Sequence, residues 1–233
     1  SQSVTRGIIS NVALISPNQG SFRLDGENVG ELVRWLGHDA IIFPGNSGGP
    51  LVDEKGFIIG INEVGIGSLG GPIPSNLAQA VSKELAENGF IARCWTGLEC
   101  QPVLDPNEEG LLVAGIIEDS PAAKAGLQPG DIIKNYDGKK VMARIAEDLP
   151  IFNQFVYGMK IGKKIKISGL RKKKKMNWAL TTTANHTTVV LLSKTRFTAS
   201  VHLDVCGDPF LLQASAWTSA GNISYCKRPP GRL

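Results

Sequence analysis

The chain has 233 residues, 42% of them hydrophobic and 20% charged, with a formal net charge of +4 at pH 7. That length and composition bound the molecule to one or two ordinary globular domains. No apolar run approaches the roughly 18 residues needed to cross a bilayer, and the basic excess is concentrated in Arg171-Lys172-Lys173-Lys174-Lys175, so neither a membrane span nor a uniform nucleic-acid face is expected.

The 27 glycines, together with frequent β-branched residues, favour short strands joined by tight turns. In chain order, residues 4–9 and 12–15 read as short strands leading to a Pro17-Asn18-Gln19-Gly20 turn, and residues 31–36 read as another strand. A glycine-rich loop, Phe43-Pro44-Gly45-Asn46-Ser47-Gly48-Gly49-Pro50, precedes a hairpin. Its arms are Leu51-Val52-Asp53 and residues 57–62, and its turn is Glu54-Lys55-Gly56. After Pro74 the period becomes helical. Leu77, Val81 and Leu85 recur every four residues, Ser75 or Asn76 suits the cap, and Gly89 suits the stop.

A second unit begins near Ile91. Residues 111–117 read as a strand. Residues 119–126 read as a short helix with Ser120 as N-cap, Pro121 in the first position and Gly126 at the stop. Residues 131–136 form a strand ending in an Asp137-Gly138 turn. A helix is expected over residues 145–156, with Pro150 near its start. Residues 165–169 and 176–180 pair across the lysine run as a closing hairpin, with the run at its tip as a solvated turn. Residues 184–233 are rich in Ser and Thr and fit neither unit. The organisation expected is 1–90, 91–183 and an unassigned tail, 184–233.

The four cysteines, Cys94, Cys100, Cys206 and Cys226, form no CxxC pair, so metal binding and thioredoxin-like chemistry are not expected. A Cys94–Cys100 disulfide is open on spacing, with free thiols the expected state. No cofactor and no metal are expected. Gly65-Ile66-Gly67-Ser68-Leu69-Gly70 matches GxGxxG. A dinucleotide site needs that motif to open a helix, and Gly71-Pro72-Ile73-Pro74 cannot start one, so it reads as a surface loop.

A nucleophilic serine needs a sharp turn with backbone N–H groups converging beside its hydroxyl. Gly45-Asn46-Ser47-Gly48-Gly49-Pro50 has that composition. Ser3-Val4-Thr5-Arg6-Gly7-Ile8-Ile9-Ser10, Asp39-Ala40, Pro44-Gly45-Asn46-Ser47-Gly48-Gly49-Pro50-Leu51-Val52, Gly60-Ile61-Asn62 and Ile73-Pro74-Ser75-Asn76 occur in register. Together they closely resemble the HtrA/Deg family of trypsin-like serine proteases.

The resemblance implies a mainly β fold with short helices, in which the C-terminal β-barrel of a trypsin-like protease is followed by a PDZ domain. It implies Ser47 as nucleophile in the Gly45-Asn46-Ser47 loop, with the N–H groups of Gly45 and Ser47 as the oxyanion hole. Ile41 and Ile42 would lie near the base of the primary specificity pocket and favour a small or aliphatic side chain. The backbone of Ile61, Asn62, Glu63 and Val64 would pair with substrate. Phe43 departs from the usual asparagine, and Gly71-Pro72 departs from the usual Phe-Ala on the pocket wall.

Arg93-Cys94-Trp95-Thr96-Gly97-Leu98-Glu99, Gly110-Leu111-Leu112-Val113, residues 120–127 and Pro129-Gly130-Asp131-Ile132-Ile133 carry the resemblance into the PDZ unit. Trp95, Thr96, Gly97 and Leu98 are expected to form a carboxylate-binding loop, with the helix near 146–157 as the other wall of a groove for a C-terminal peptide.

A serine hydroxyl also needs a general base and an orienting carboxylate. In this family both precede the serine in a first barrel, and only 46 residues precede Ser47 here. His38 reads as a surface or pocket-rim residue, and His186 and His202 lie in the tail. The chain is therefore expected to be an N-terminally truncated, inactive piece of an ATP-independent endopeptidase of protein quality control. The alternative is a non-catalytic PDZ peptide-binding or chaperone-like adaptor. Expected partners are unfolded or extended polypeptides and C-terminal peptides, with no nucleic acid. Family members are often homotrimeric and extracytoplasmic or organellar.

Overall fold

Burial divides the chain into two regions of different character. The computed structural model describes residues 4–16, 23–24, 27–28, 30–89 and 91–184. The turn expected at 17–20 and the tail beyond 184 lie outside them. Of the described residues, one compact unit takes in 4–14 and 35–83, and the other takes in those between 15 and 34 and between 84 and 184. Strands dominate and helices are short, as the fold class requires.

The strands up to the first helix are β1 (Ile9–Leu14), β2 (Arg23–Leu24), β3 (Glu27–Asn28), β4 (Trp35–His38), β5 (Pro50–Val52), β6 (Ile58–Ile66) and β7 (Leu69–Pro74). Five of them form an antiparallel sheet in the order β1-β4-β7-β6-β5, with β1 and β5 at its edges. The expected barrel is thus present as an open sheet among the described residues. Its interior is small. Trp35, Ala40, Val64 and Pro72 are its buried apolar side chains, while Val4, Ile8, Val12, Ile41, Phe43 and Phe57 are exposed.

Two strand expectations are corrected. Residues 4–8 carry no strand, because Asp39 holds that segment: its carboxylate accepts the Ile8 N–H at 2.7 Å, and its own N–H reaches Ile8 O at 3.3 Å. The strand read at 31–36 begins only at Trp35, because Val33 N–H turns back to Gly30 O at 3.4 Å.

The GxGxxG segment folds as the β6–β7 hairpin. Ile66 faces Leu69 across Gly67-Ser68, with glycine first, as a type II′ turn prefers. Helix α1 (Ser75–Asn88) follows and stops at Gly89, which sits at φ 75°. Its Leu77, Val81 and Leu85 are half-buried, so the four-residue repeat marks its covered side.

The second unit continues with β8 (Cys94–Trp95), β9 (Leu98–Pro102), β10 (Leu111–Ile116), α2 (Pro121–Lys124), β11 (Ile132–Tyr136) and β12 (Lys139–Lys140). A 3₁₀ turn at Ala146–Asp148 leads into α3 (Leu149–Tyr157), followed by β13 (Lys164–Arg171), β14 (Lys174–Thr181) and β15 (Thr183–Ala184). Pro150 falls in the first turn of α3, where its missing N–H has no intrahelical acceptor to lose.

The main sheet runs β14-β13-β11-β10-β9, with β12 on β11, and β15 pairs β8. Alternation along β13 and β14 sends Ile165, Ile167, Trp178 and Leu180 inward. They meet Leu111, Val113, Ile133, Tyr136, Leu149, Phe152 and Val156 in one continuous core. The Tyr136 ring stands edge-on to Phe152 at 5.4 Å. Cys94 and Cys100 are free thiols inside this unit, and burial pushes the Cys100 thiol up to about 12.

The described residues 30–34 belong with this unit through α3. Asn153 and Gln154 donate to the carbonyls of Glu31 and Leu32 at 2.9 and 2.6 Å, and the Tyr157 hydroxyl donates to the Glu31 carboxylate at 3.1 Å.

Candidate functional site

The segment around Ser47 is two consecutive turns. Asn46 N–H returns to Phe43 O at 3.0 Å, closing the first around Pro44-Gly45. Gly49 N–H returns to Asn46 O at 3.0 Å, closing the second around Ser47-Gly48. Gly45 at φ 98° and Gly48 at φ 83° occupy the third position of each, where a type II turn requires a left-handed residue, and Pro44 pre-sets the second.

A turn consumes only the carbonyl of its first residue and the N–H of its fourth. Gly45, third in one turn, and Ser47, second in the next, therefore keep their N–H groups. No described residue accepts from either. The loop is anchored instead through Gly48, whose N–H donates to Asn62 O at 2.7 Å, and through Asn62, whose N–H donates to Gly49 O at 2.9 Å.

Ser47 is exposed, and its hydroxyl donates to Glu63 O at 3.4 Å. Asn62 thus has both main-chain groups engaged by the serine loop, and the open edge of β6 begins at Glu63, where the β6–β7 register shifts between Asn62 and Val64.

Ile61 and Glu63 are half-buried and Val64 is buried. Ile41 is 61% exposed, whereas Ile42 is half-buried. Ile42 and the His38 ring both pack onto Gly70; a Cβ added there would lie 2.5 Å from Ile42 Cδ1 and 2.5 Å from His38 Cε1. The surface or rim position expected for His38 is corrected, since only 2% of it is exposed. The missing side chain of Gly70 is what lets the ring in. His38 Nε2 lies 3.4 Å from Asn62 Oδ1, and its Nδ1 has no partner among the described residues.

One contact of this region carried no sequence signal. The Trp35 indole N–H donates to the Glu63 carboxylate at 2.7 Å, across 28 positions. Burial pushes the Glu63 carboxyl above its ordinary range, and the Trp35 bond opposes that shift.

The second candidate site is the loop between β8 and β9. Thr96 O accepts from Ala122 N–H at 2.9 Å and Gly97 O accepts from Ile117 N–H at 3.0 Å, while no described residue accepts from the N–H of Thr96 or Gly97. Gly97, at φ 75°, is pressed against the α2 cap; a Cβ there would lie 2.1 Å from Ser120 Cβ. Ser120 in turn accepts Ala123 N–H at 3.1 Å as the N-cap. β9 is an edge strand of its sheet, paired with β10 on one side only, and α3 packs beside it. Trp95 and Leu98 flank this loop half-buried.

Among the described residues no group of His, Cys, Asp and Glu is arranged to hold a metal ion. No helix among them is long and apolar enough to cross a membrane.

A PDZ domain family model matches residues 99–182. A probable periplasmic serine endoprotease DegP-like from Pseudomonas putida is 35% identical over 189 residues, which is 75% of this chain and 36% of that protein. The chain belongs to the HtrA/Deg family.

Solved structures agree. The HtrA-type protease AlgW with decapeptide is 32% identical with a TM-score of 0.62, over 79% of this chain and 57% of that one. The same protease with tripeptide is 33% identical with a TM-score of 0.63, over 79% and 61%. The chain thus spans about a third of its DegP-like relative. The PDZ match runs from β9 through β14.

Proposed function

We propose that this chain carries the nucleophile-bearing lobe and the PDZ domain of an HtrA/Deg serine endopeptidase. The observation that carries the reading is the exposed Ser47 hydroxyl in a double turn whose Gly45 and Ser47 amides have no acceptor among the described residues.

In that reading Ser47 Oγ attacks the scissile carbonyl, and the two amides receive the charge that develops on its oxygen. Asn46 fixes the spacing between them by closing one turn and opening the next. An extended substrate adds to the open edge of β6 from Glu63 to Val64, beside Ile61 and Asn62. Its side chain enters beside Ile42, with Ile41 toward the mouth, which favours small or aliphatic residues.

The base is a separate matter. His38 is the one histidine among the described residues, and it is engaged with Asn62. The reading therefore assigns the general base and its carboxylate to a part of the protease outside the described residues, and it expects no peptidase activity from this chain by itself. Substrates are unfolded or extended polypeptides. An extracytoplasmic setting follows from the periplasmic naming of the relatives, and a homotrimer from the family's habit.

A protease containing this segment tests the reading. Ser47→Ala is expected to lower kcat on an unfolded protein substrate by at least about 1,000-fold. Undiminished hydrolysis in that variant would sink it. A fluorophosphonate probe is expected to leave Ser47 unlabelled in the isolated chain.

A second reading rests on its own observation. The Thr96 and Gly97 amides, the open β9 edge and α3 make a peptide site complete within one unit. A chain acting through that site alone is a peptide-binding adaptor. In both readings Trp95, Thr96, Gly97 and Leu98 receive a peptide C-terminus. Calorimetric titration with free and amidated C-termini separates carboxylate capture from strand addition alone; equal affinity for the two would exclude capture.

A further inference from the structure

The lysine run was read as a solvated turn, but the fold places it at the end of a cationic face. From residue 149 to residue 184 the chain holds nine Lys and Arg and no Asp or Glu. Strands β13 and β14 pair in full register: Lys164 faces Thr181, Lys166 faces Ala179, Ser168 faces Asn177 and Leu170 faces Lys175. Because Ile165, Ile167, Trp178 and Leu180 are committed to the core, alternation sends these four pairs to the other side of the sheet. Asn135 of β11 extends that side, donating to Ser168 Oγ at 3.2 Å, and Lys140 of β12 lies opposite Asn135. The hairpin tip adds Lys172, Lys173 and Lys174, all exposed.

Neutralisation is incomplete and localised. Asp137 takes Lys163, Asp131 takes Arg171, Glu108 takes Lys134 and Glu109 takes Lys140. Lys164, Lys166, Lys172, Lys173, Lys174 and Lys175 have no ionic partner among the described residues. The nearby Asp119 lines a cavity with Ala179 and Thr181, at the end of β14 away from the tip. Lys164, Lys166 and Lys175 are held on strands whose opposite side is the core, and Lys172 and Lys173 continue from them in the hairpin turn, so the charge is pre-arranged rather than gathered on binding. The face is broad, at about 6.7 Å between alternate residues and about 4.8 Å between strands.

We propose that this face docks the PDZ unit onto a phospholipid bilayer carrying anionic headgroups. Clusters of four to eight lysines are the size that binds such surfaces through additive charge attraction. The pairs on the face include no aromatic side chain, which single-stranded nucleic acid would need for base stacking. The inference is independent of peptidase activity.

The test is co-sedimentation of the full chain with vesicles of phosphatidylglycerol and phosphatidylethanolamine, against phosphatidylcholine alone. Binding is expected on the anionic vesicles only, with a loss of at least about tenfold when salt is raised from about 0.05 to about 0.5 M. Lys164→Gln, Lys166→Gln and Lys175→Gln together are expected to lower the partition coefficient at least about tenfold. The same three changed to Arg retain it, and Lys55→Gln, in the other unit, leaves it unchanged. Equal binding to neutral vesicles, indifference to the Gln triple, or tighter salt-sensitive binding to single-stranded DNA than to vesicles would each overturn the proposal.

Discussion

The two units spend their apolar residues differently. In the PDZ unit, fifteen buried hydrophobic residues form one cluster, and Ile133, Ile165 and Ile167 are at most 1% exposed. In the serine-bearing unit, the buried apolar side chains are those of Trp35, Ala40, Val64 and Pro72, and the segment through β1 and the loop after β4 leave Ile8, Val12, Ile41 and Phe43 open. The first architecture is held by side-chain packing. The second is held largely by main-chain bonds, such as those joining Asn62 to Gly48 and Gly49, and by a few polar side chains, such as Asp39 and Glu63. One sheet can therefore be a complete domain while its neighbour in sequence is a site with little interior.

Substitutions can break that contrast. Ile167→Ala removes a core side chain and is expected to cost about 3 kcal/mol in urea unfolding of the PDZ unit. A cost below about 1 kcal/mol would mean that the cluster is loosely packed. Trp35→Phe keeps the ring but strips the donor from Glu63, and a loss of about 2 kcal/mol is expected in the other unit.

Glu63→Gln sharpens the same point through pH. The folded carboxyl is raised, chiefly by burial, so the folded state binds its proton more tightly than the unfolded chain does. Stability is then lost as pH rises from the ordinary carboxylate range through the folded value. The variant is expected to gain on the wild type as pH rises through and above the ordinary carboxylate range, followed by urea unfolding of that unit. A constant difference across that range would refute the assignment.

Ser120→Ala should cost about 1 kcal/mol, the usual value of an N-cap. It should also weaken peptide binding, because Ser120 supports Gly97. Smallest of all, Val12→Ala is expected to stay within about 0.5 kcal/mol, as an exposed position should. A large loss there would reveal an interior that the described residues do not provide.

Much of this was legible in the sequence, unevenly. Ser120-Pro121 and Gly126 marked α2 because caps are local chemistry. Pro44-Gly45 and Asp137-Gly138 marked turns for the same reason. Ile165, Ile167, Trp178 and Leu180 marked an inward face because strand alternation is rigid. Residues 31–36 misled, since strand propensity there is overridden by a turn at Gly30. His38 misled because its burial depends on Gly70, 32 positions away, lacking a side chain. The Trp35–Glu63 bond had no local signature at all. The basic run was visible as composition, but only the β13–β14 register showed which lysines share a side.

The donors at both candidate sites belong to the main chain, and that has a practical reach. Side-chain scanning across residues 43–49 or 95–98 leaves every main-chain donor in place, so a mutational map would report the hydroxyl of Ser47 and the effect of its neighbours on turn geometry, but not the donors themselves. Replacing single amides with esters, at Ser47 or at Thr96, deletes the donor while keeping the side chain. Such semisynthetic variants would assign the binding of negative charge to individual N–H groups.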